Sequence, residues 1–155
     1  MRKWIALAVL LLLVFAAGAL GSFITLPKIP TWYAGLSKPW FNPPSGVFGP
    51  VWTVLYILMA LAAWRIWLTP VSDARQNALV WWIIQLALNA AWSPVFFGLE
   101  QPRLALAVIL ALVVSLAVTT LHFFRLDRIA GWMLIPYLGW VTFATVLNGA
   151  IVALN

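Results

Sequence analysis

Five apolar stretches dominate the chain, and each approaches or exceeds the ~20 residues that a helix needs to cross a bilayer. They predict membrane-spanning helices over residues 4–26, 47–68, 78–98, 104–124 and 129–153. Only 8% of the 155 residues are charged, whereas about 25% are charged in a soluble domain. Such a chain cannot cover a core with polar surface. The predicted fold class is therefore all-α: a single domain over residues 1–155, built as an integral membrane bundle of five transmembrane helices.

The first apolar stretch allows two interpretations. Ala17-Gly18-Ala19 resembles the A-x-A site at which a signal peptide is cleaved. However, the apolar run over residues 4–26 is longer than the usual core of a signal peptide, which favours a retained first helix. Ala17 and Gly21 also form a small-xxx-small pair, a spacing that permits close contact between membrane helices.

The first loop, residues 27–46, is the longest interruption of the apolar pattern. Residues 31–56 hold four prolines, three tryptophans and Lys38. Loops this long in a small bundle are usually functional or disordered, and the proline and aromatic content argues against disorder. We predict that residues 32–44 form a structured lid over a ligand pocket within the bundle.

Composition excludes several classes of chemistry. The chain has no cysteine, three acidic residues and one histidine, so thiol catalysis and most carboxylate-based or metal-based sites are excluded. We predict no metal site and no required cofactor. His122 could ligate a haem iron, but an interfacial histidine bonded to water or lipid headgroups is favoured. Asp73, Glu100 and Asp127 each lie in a loop beside an arginine and are predicted to be solvated charges.

The net charge of +6 does not indicate a nucleic-acid partner, because the basic residues are scattered singly at helix ends. There they contact lipid headgroups and set orientation. Five spans put six basic residues on the N-terminal side of the membrane: Arg2, Lys3, Arg65, Arg75, Arg125 and Arg128. Three lie on the other side: Lys28, Lys38 and Arg103. This imbalance favours an N-terminus inside and a first loop outside.

Candidate pocket residues share faces of three helices. The third helix presents a broad face with Gln85, Asn89, Trp92, Ser93 and Phe96. The fifth presents a stripe with Trp132, Pro136, Trp140, Phe143, Ala144, Leu147 and Asn148. The second contributes Trp52, Tyr56 and Met59.

Two interpretations of these faces remain open. Gln85 and Asn89 could bond neighbouring helices, or Asn89 could reach a ligand, because intramembrane amides usually face the protein interior. Asn89 lies roughly 14 Å below the outer end of its helix, at 1.5 Å per residue. Trp52 lies one to two turns below the outer end of its helix, and Trp140 lies near mid-membrane with Asn148 above it. All four can therefore line one cavity in the outer half, under the loop. Aromatic walls with a few polar groups suit a large, flat, apolar ligand, although the same aromatics could simply pack the core.

Three blocks of sequence also resemble the TspO/translocator protein family, the tryptophan-rich sensory proteins known in mitochondria as the peripheral-type benzodiazepine receptor. The first block is Trp32-Tyr33-Ala34-Gly35-Leu36-x-Lys38-Pro39-x-Phe41-x-Pro43-Pro44, followed by Val47, Gly49-Pro50-x-Trp52 and Leu55-Tyr56. The second is Gln85-Leu86-x2-Asn89-x2-Trp92-x-Pro94-x-Phe96-Phe97. The third is Pro136-Tyr137-Leu138-x-Trp140, then Phe143-Ala144-Thr145 and Leu147-Asn148.

The resemblance implies a five-helix bundle, often a homodimer, with a pocket closed by the first loop, in a bacterial cell membrane. It implies a receptor or sensor that binds porphyrins such as protoporphyrin IX, and isoquinoline or benzodiazepine-type ligands. The implied pocket residues are Tyr33, Trp52, Asn89, Trp140 and Ala144, with Pro43, Pro44 and Phe97 nearby. Helical spacing adds Tyr56 and Asn148 to the predicted ligand-binding residues.

Two alternative functions stay open with this resemblance. One is an enzyme that degrades porphyrin in light, with Trp52 and Trp140 as the reactive groups. The other is a tetrapyrrole or lipid transporter, although the chain shows neither an internal repeat nor a path from both sides. Phe41 and Gly46 stand where the family frequently has tryptophan, so lid packing and ligand preference are expected to differ there. The proposed cholesterol motif of the family is missing from the C-terminal end.

Overall fold

Five long helices account for most of the chain in the computed structural model, which describes residues 1–155. They are α1 Arg2–Thr25, α2 Ser45–Trp67, α3 Asp73–Ser93, α4 Pro102–Leu126 and α5 Arg128–Leu154. All five are long and apolar enough to cross a membrane, and no strand is present. The predicted all-α membrane bundle of five helices is confirmed.

Two helices begin at polar side-chain caps and a third begins at a proline, all outside the apolar runs. Ser72 Oγ accepts a hydrogen bond of 3.1 Å from the Arg75 backbone N–H, so α3 starts five residues before the predicted position. Pro102 opens α4, where its missing N–H costs nothing. Asp127 caps α5 by accepting from the N–H of Ile129 at 2.9 Å. Hydropathy marks the apolar part of a helix and misses such polar first turns.

A π-helical turn at Pro94–Gly98 continues α3. The Leu99 N–H donates to the Pro94 carbonyl over 2.8 Å, which closes a wider turn than an α-helix makes. Glu100 follows with a φ of 55°, in the left-handed region, and ends the helical path. The turn lets two residues adjacent in sequence, Phe96 and Phe97, both be buried.

The packing of the helices defines a core and a more peripheral helix. α4 packs against α3 and α5, and α2 packs against α1 and α5. Trp82 and Tyr137 are the largest fully buried side chains, and the Trp82 indole donates to the Met59 carbonyl over 3.2 Å. α1 buries only Val14 completely. It approaches its neighbours through small residues instead, as the Ala17–Gly21 pair predicts. A Cβ added at Gly21 would lie 3.3 Å from Ser93 Oγ.

Ion pairs connect separate elements at both ends of the bundle. Near the N-terminus, Arg65 Nε contacts Asp127 Oδ2 at 2.9 Å and joins α2 to the start of α5. At the opposite end, Lys28 Nζ contacts Glu100 Oε1 at 2.6 Å. The prediction that Asp127 and Glu100 are merely solvated beside the neighbouring arginine is therefore wrong. Each carboxylate pairs with a cation distant in sequence, because folding brings together helix ends that the sequence separates.

Candidate functional site

The first loop is held together by polar contacts around Tyr33. The Tyr33 hydroxyl donates to Asn42 Oδ1 over 3.0 Å. Lys38 Nζ donates to the Tyr33 carbonyl at 2.8 Å and to the Leu36 carbonyl at 3.0 Å, and it lies 4.8 Å from the Tyr33 ring centroid. Burial of the ring raises the pKa of the Tyr33 hydroxyl, and the bond to Asn42 opposes part of that rise. The loop is thus an ordered layer over the end of the bundle.

Contacts at several points attach this layer to the helices. The Ser37 backbone donates to Asn155 Oδ1 at 3.1 Å, and Asn155 Nδ2 donates back to the Ser37 carbonyl at 2.8 Å. Trp32 meets Phe96 edge to face, with ring centroids 5.6 Å apart. Phe41 packs on Phe143 in the same manner at 6.2 Å. Lid residues therefore contact both the π-helical turn and α5.

A cavity of about 620 Å³ lies beneath this lid, between α1, α2, α3 and α5, with Ile109 and Leu112 of α4 also in its wall. A volume of this size is typical of sites for drug-sized ligands. Eight of the ten predicted ligand-binding residues line it: Tyr33, Trp52, Tyr56, Asn89, Phe97, Trp140, Ala144 and Asn148. Pro43 and Pro44 are not part of its wall; Pro44 instead occupies the cap position of α2.

A buried hydrogen-bond network borders the cavity through Tyr56 and Asn89. The Tyr56 hydroxyl donates to Asn89 Oδ1 at 3.0 Å, and Asn89 Nδ2 donates to the Tyr137 hydroxyl at 2.8 Å. That hydroxyl in turn donates to Gln85 Oε1 at 2.7 Å. The network links α2, α3 and α5, so both amides bond neighbouring helices. Asn89 also borders the cavity and keeps one amide hydrogen without a partner, whereas Gln85 does not reach the cavity.

The second polar group of the wall is Asn148. It accepts from the Trp92 indole N–H at 3.0 Å and donates to the Pro102 carbonyl at 2.9 Å, which joins α3, α5 and the start of α4. The indole Nε1 of Trp140, by contrast, is buried and has no acceptor. An unpaired buried donor in an apolar wall is costly. Trp140 therefore lines the cavity with an indole N–H that no protein group accepts, in addition to the unbonded amide hydrogen of Asn89.

Helix α1 supplies a wall that the sequence patterns did not point to. Its small residues Gly18, Gly21, Ser22 and Thr25 line the cavity together with Ala17. Ser22 and Phe15 are exposed, as is Thr53 on α2, so the cavity opens sideways between α1 and α2 toward the lipid. The small residues at positions 17, 18, 21, 22 and 25 recur at helical spacing, and this signal could have identified the wall.

Comparisons with known proteins assign this architecture to a family. A sequence model described as the TspO/MBR family matches residues 8–154. The chain belongs to this family.

Several relatives are similar over most of their length. The chain is 42% identical over 146 residues to the Tryptophan-rich protein TspO of Archaeoglobus fulgidus, covering 94% of each chain. It is 43% identical over 148 residues to the Tryptophan-rich sensory protein of Cereibacter sphaeroides, covering 96% of this chain and 92% of that protein. It is 40% identical over 119 residues to the human Translocator protein, covering 76% and 70%. The family resemblance of the three sequence blocks is confirmed. The prediction of an integral, multi-pass membrane protein is confirmed as well.

Proposed function

We propose that this TspO/MBR family protein is a membrane receptor or sensor for tetrapyrroles, with protoporphyrin IX as the representative ligand. Flat apolar drugs of the isoquinoline or benzodiazepine type would occupy the same cavity. The observation that carries the proposal is the convergence of Trp52, Asn89 and Trp140 on one cavity of about 620 Å³ beneath an ordered lid.

The aromatic wall supports a flat ligand. Trp52 packs against Tyr56 and Tyr137, with ring centroids 5.4 and 6.1 Å apart. Trp140 packs against Phe48 at 5.9 Å and Phe143 at 5.5 Å. Aromatic faces held in place by other rings offer large apolar contact at little entropic cost. A planar macrocycle can therefore stack on surfaces that are already ordered.

The polar groups of the wall support recognition of a ligand that carries a few acceptors. Trp140 Nε1 has no partner in the protein, and Asn89 has one unbonded amide hydrogen. A pocket that is mostly apolar and presents a small number of fixed donors orients its ligand through those donors. No cofactor is required in this proposal, because the tetrapyrrole is the ligand.

The proposal is tested by titrating purified protein with protoporphyrin IX in the dark and following quenching of tryptophan fluorescence. We expect saturable binding that is weakened at least tenfold in Trp52→Ala, Asn89→Ala or Trp140→Ala. Trp132→Ala is the matched control, because Trp132 lies on the same helix as Trp140 but is 63% exposed and outside the cavity. Equal affinity in all four variants would overturn the proposal.

A light-dependent porphyrin-degrading enzyme is the second candidate. The favouring observation is that two easily oxidised indoles, Trp52 and Trp140, line the same cavity. In this scheme the excited porphyrin reacts with dioxygen while the indoles serve as electron donors. Illumination of the complex in air should then yield a new bilin-like product, and Trp52→Phe and Trp140→Phe should slow its formation. Porphyrin loss at the wild-type rate in both variants would remove the tryptophans from the reaction.

We further propose a bacterial cell membrane as the location, as the family resemblance implies. The N-terminus would lie inside and the lid outside, because six basic residues lie on one side and three on the other. Labelling of single cysteines introduced at Ser37 and Ser72 in intact cells distinguishes the two orientations. The homodimer implied by the family resemblance stays a prediction, to be tested by analytical ultracentrifugation in detergent.

A further inference from the structure

A second cavity, of about 370 Å³, lies on the outside of the bundle at its N-terminal end. We call it the α1 groove. It runs between α1, the end of α2 and the start of α3. Arg2 is one of its seven lining residues, and the other six are hydrophobic: Ile5, Ala6, Val9, Leu10, Trp67 and Leu79. It shares no residue with the cavity under the lid, so it is independent of the proposed tetrapyrrole site.

The groove starts at the membrane interface and runs into the apolar layer. Trp4 and Trp64 mark this level, with ring centroids 5.3 Å apart, because tryptophan collects at the headgroup region. Arg2 lines the interfacial end. Val9 lies seven residues further along α1, or roughly 10 Å deeper at 1.5 Å per residue. The groove is therefore charged at its mouth and apolar along its length.

A second guanidinium, that of Arg75, contacts Trp67 of the groove wall. It stacks over the Trp67 ring at 4.4 Å from the centroid and donates from Nη2 to the Trp67 carbonyl at 3.0 Å. Its Nε is buried and has no acceptor. The two ion pairs of the protein are Lys28–Glu100 and Arg65–Asp127. Neither Arg2 nor Arg75 is therefore neutralised by a carboxylate.

We propose that the α1 groove is a binding site for an anionic phospholipid. One acyl chain lies along the apolar side chains of the groove, and the phosphate is bound by Arg2 and Arg75. Any lipid acyl chain can fill an apolar groove that faces the bilayer, so the groove alone does not select a lipid. The unpaired guanidinium groups select among lipids, because arginine binds phosphate oxygens through charge-assisted hydrogen bonds.

The test is native mass spectrometry of the full chain released from mild detergent with either phosphatidylglycerol or phosphatidylcholine of the same acyl chains. We expect phosphatidylglycerol to be retained preferentially as a single copy. Arg2→Gln and Arg75→Gln should each reduce that preference roughly fivefold, the change expected for one juxtamembrane cation. Arg128→Gln is the matched control at the same end of the bundle, and it should leave the preference unchanged.

A second pair of variants tests the acyl chain. Ala6→Phe fills the groove and should release the lipid, whereas Ala8→Phe adds the same bulk at an exposed position outside it. Thermal unfolding midpoints and protoporphyrin titration show whether each variant remains folded. Three results would overturn the site: equal retention of the two lipids by the wild-type protein, unchanged preference in both arginine variants, or displacement of the lipid by glycerol phosphate alone, which indicates a free phosphate site.

Discussion

The Tyr137 hydroxyl on α5 donates a hydrogen bond of 2.7 Å to Gln85 Oε1 on α3, and both residues are fully buried. The same hydroxyl accepts from Asn89 Nδ2 at 2.8 Å. Tyr137→Phe removes the central hydroxyl and leaves two buried amide atoms, Gln85 Oε1 and Asn89 Nδ2, without their partner. We expect a loss of about 1–3 kcal/mol in the free energy of unfolding, measured by denaturant titration in mixed micelles. In Gln85→Leu/Tyr137→Phe the loss should be smaller than the sum of the single losses, and strict additivity would contradict a shared network.

The close approach of Gly18 to Tyr56 leaves no room for a side chain at position 18 of α1. A Cβ added at Gly18 would lie 2.7 Å from Tyr56 Cε2. Gly18→Ala should displace the Tyr56 ring, stretch its bond to Asn89 and weaken ligand binding at least threefold in the tryptophan-quenching titration. Gly139→Ala is the control, because nothing lies within 4 Å of its added Cβ. That variant should bind normally and be stabilised, since alanine is favoured over glycine in a helix by ~0.5–1 kcal/mol.

Asp127 has two structural roles that different substitutions separate. Its Oδ1 caps α5, and its Oδ2 bonds Arg65. Asp127→Asn keeps an oxygen for the cap and loses the ion pair, so we expect a cost below about 1 kcal/mol. Asp127→Ala loses both and should cost about 1–2 kcal/mol. Asp73→Asn, a change at an exposed position, should have little effect on the unfolding free energy. Equal losses in the two Asp127 variants would show that the cap contributes nothing.

The buried Tyr33 hydroxyl makes the lid sensitive to high pH. Burial raises its pKa above the ordinary value of 10.0, so the folded state favours the neutral, protonated form. The resulting stabilisation is fully present below pH 10 and is lost as the pH rises through the folded-state pKa. The unfolding midpoint of the wild-type protein should therefore fall more steeply above pH 10 than that of Tyr33→Phe. Parallel pH profiles for the two proteins would exclude this role.

The paired hydrogen bonds between Asn155 and Ser37 fasten the lid to the end of α5. Asn155→Ala should speed ligand dissociation roughly fivefold in stopped-flow fluorescence, which corresponds to about 1 kcal/mol of lost hydrogen bonding. Ser37→Ala is a strict control, because both bonds use the backbone of Ser37 and survive the substitution. A dissociation rate unchanged in Asn155→Ala would mean that the lid opens elsewhere.

The fold was predictable from the sequence because a membrane helix is specified by its own local run of apolar residues. A run of apolar residues without charge specifies a span whatever its neighbours are. The start of α3 was harder to place, since Ser72 caps a polar first turn that hydropathy scores as loop. The π-helical turn was not predicted, because the wider turn depends on how Phe96 and Phe97 pack against Trp32 on another element.

The candidate site was predictable only in part. Spacing along one helix places residues such as Trp140 and Ala144 on a shared face, and both line the cavity. Partners on other helices do not follow from spacing. Tyr137 holds Gln85 and Asn89 together, and Lys28 meets Glu100 across 72 positions. The α1 wall was missed for another reason: small residues such as Gly18 shape a cavity through the side chains they lack.

The bond between Ser37 and Asn155 joins positions 118 residues apart. During synthesis the first loop therefore leaves the ribosome long before its partner on α5 exists. Until α5 is inserted, the backbone of Ser37 lacks the hydrogen bonds that Asn155 provides. The cavity also lacks its α5 wall. This attachment of the lid therefore forms only after α5 has been made, and a nascent chain stalled after α4 would display a chamber that lacks its α5 wall to the surrounding lipid.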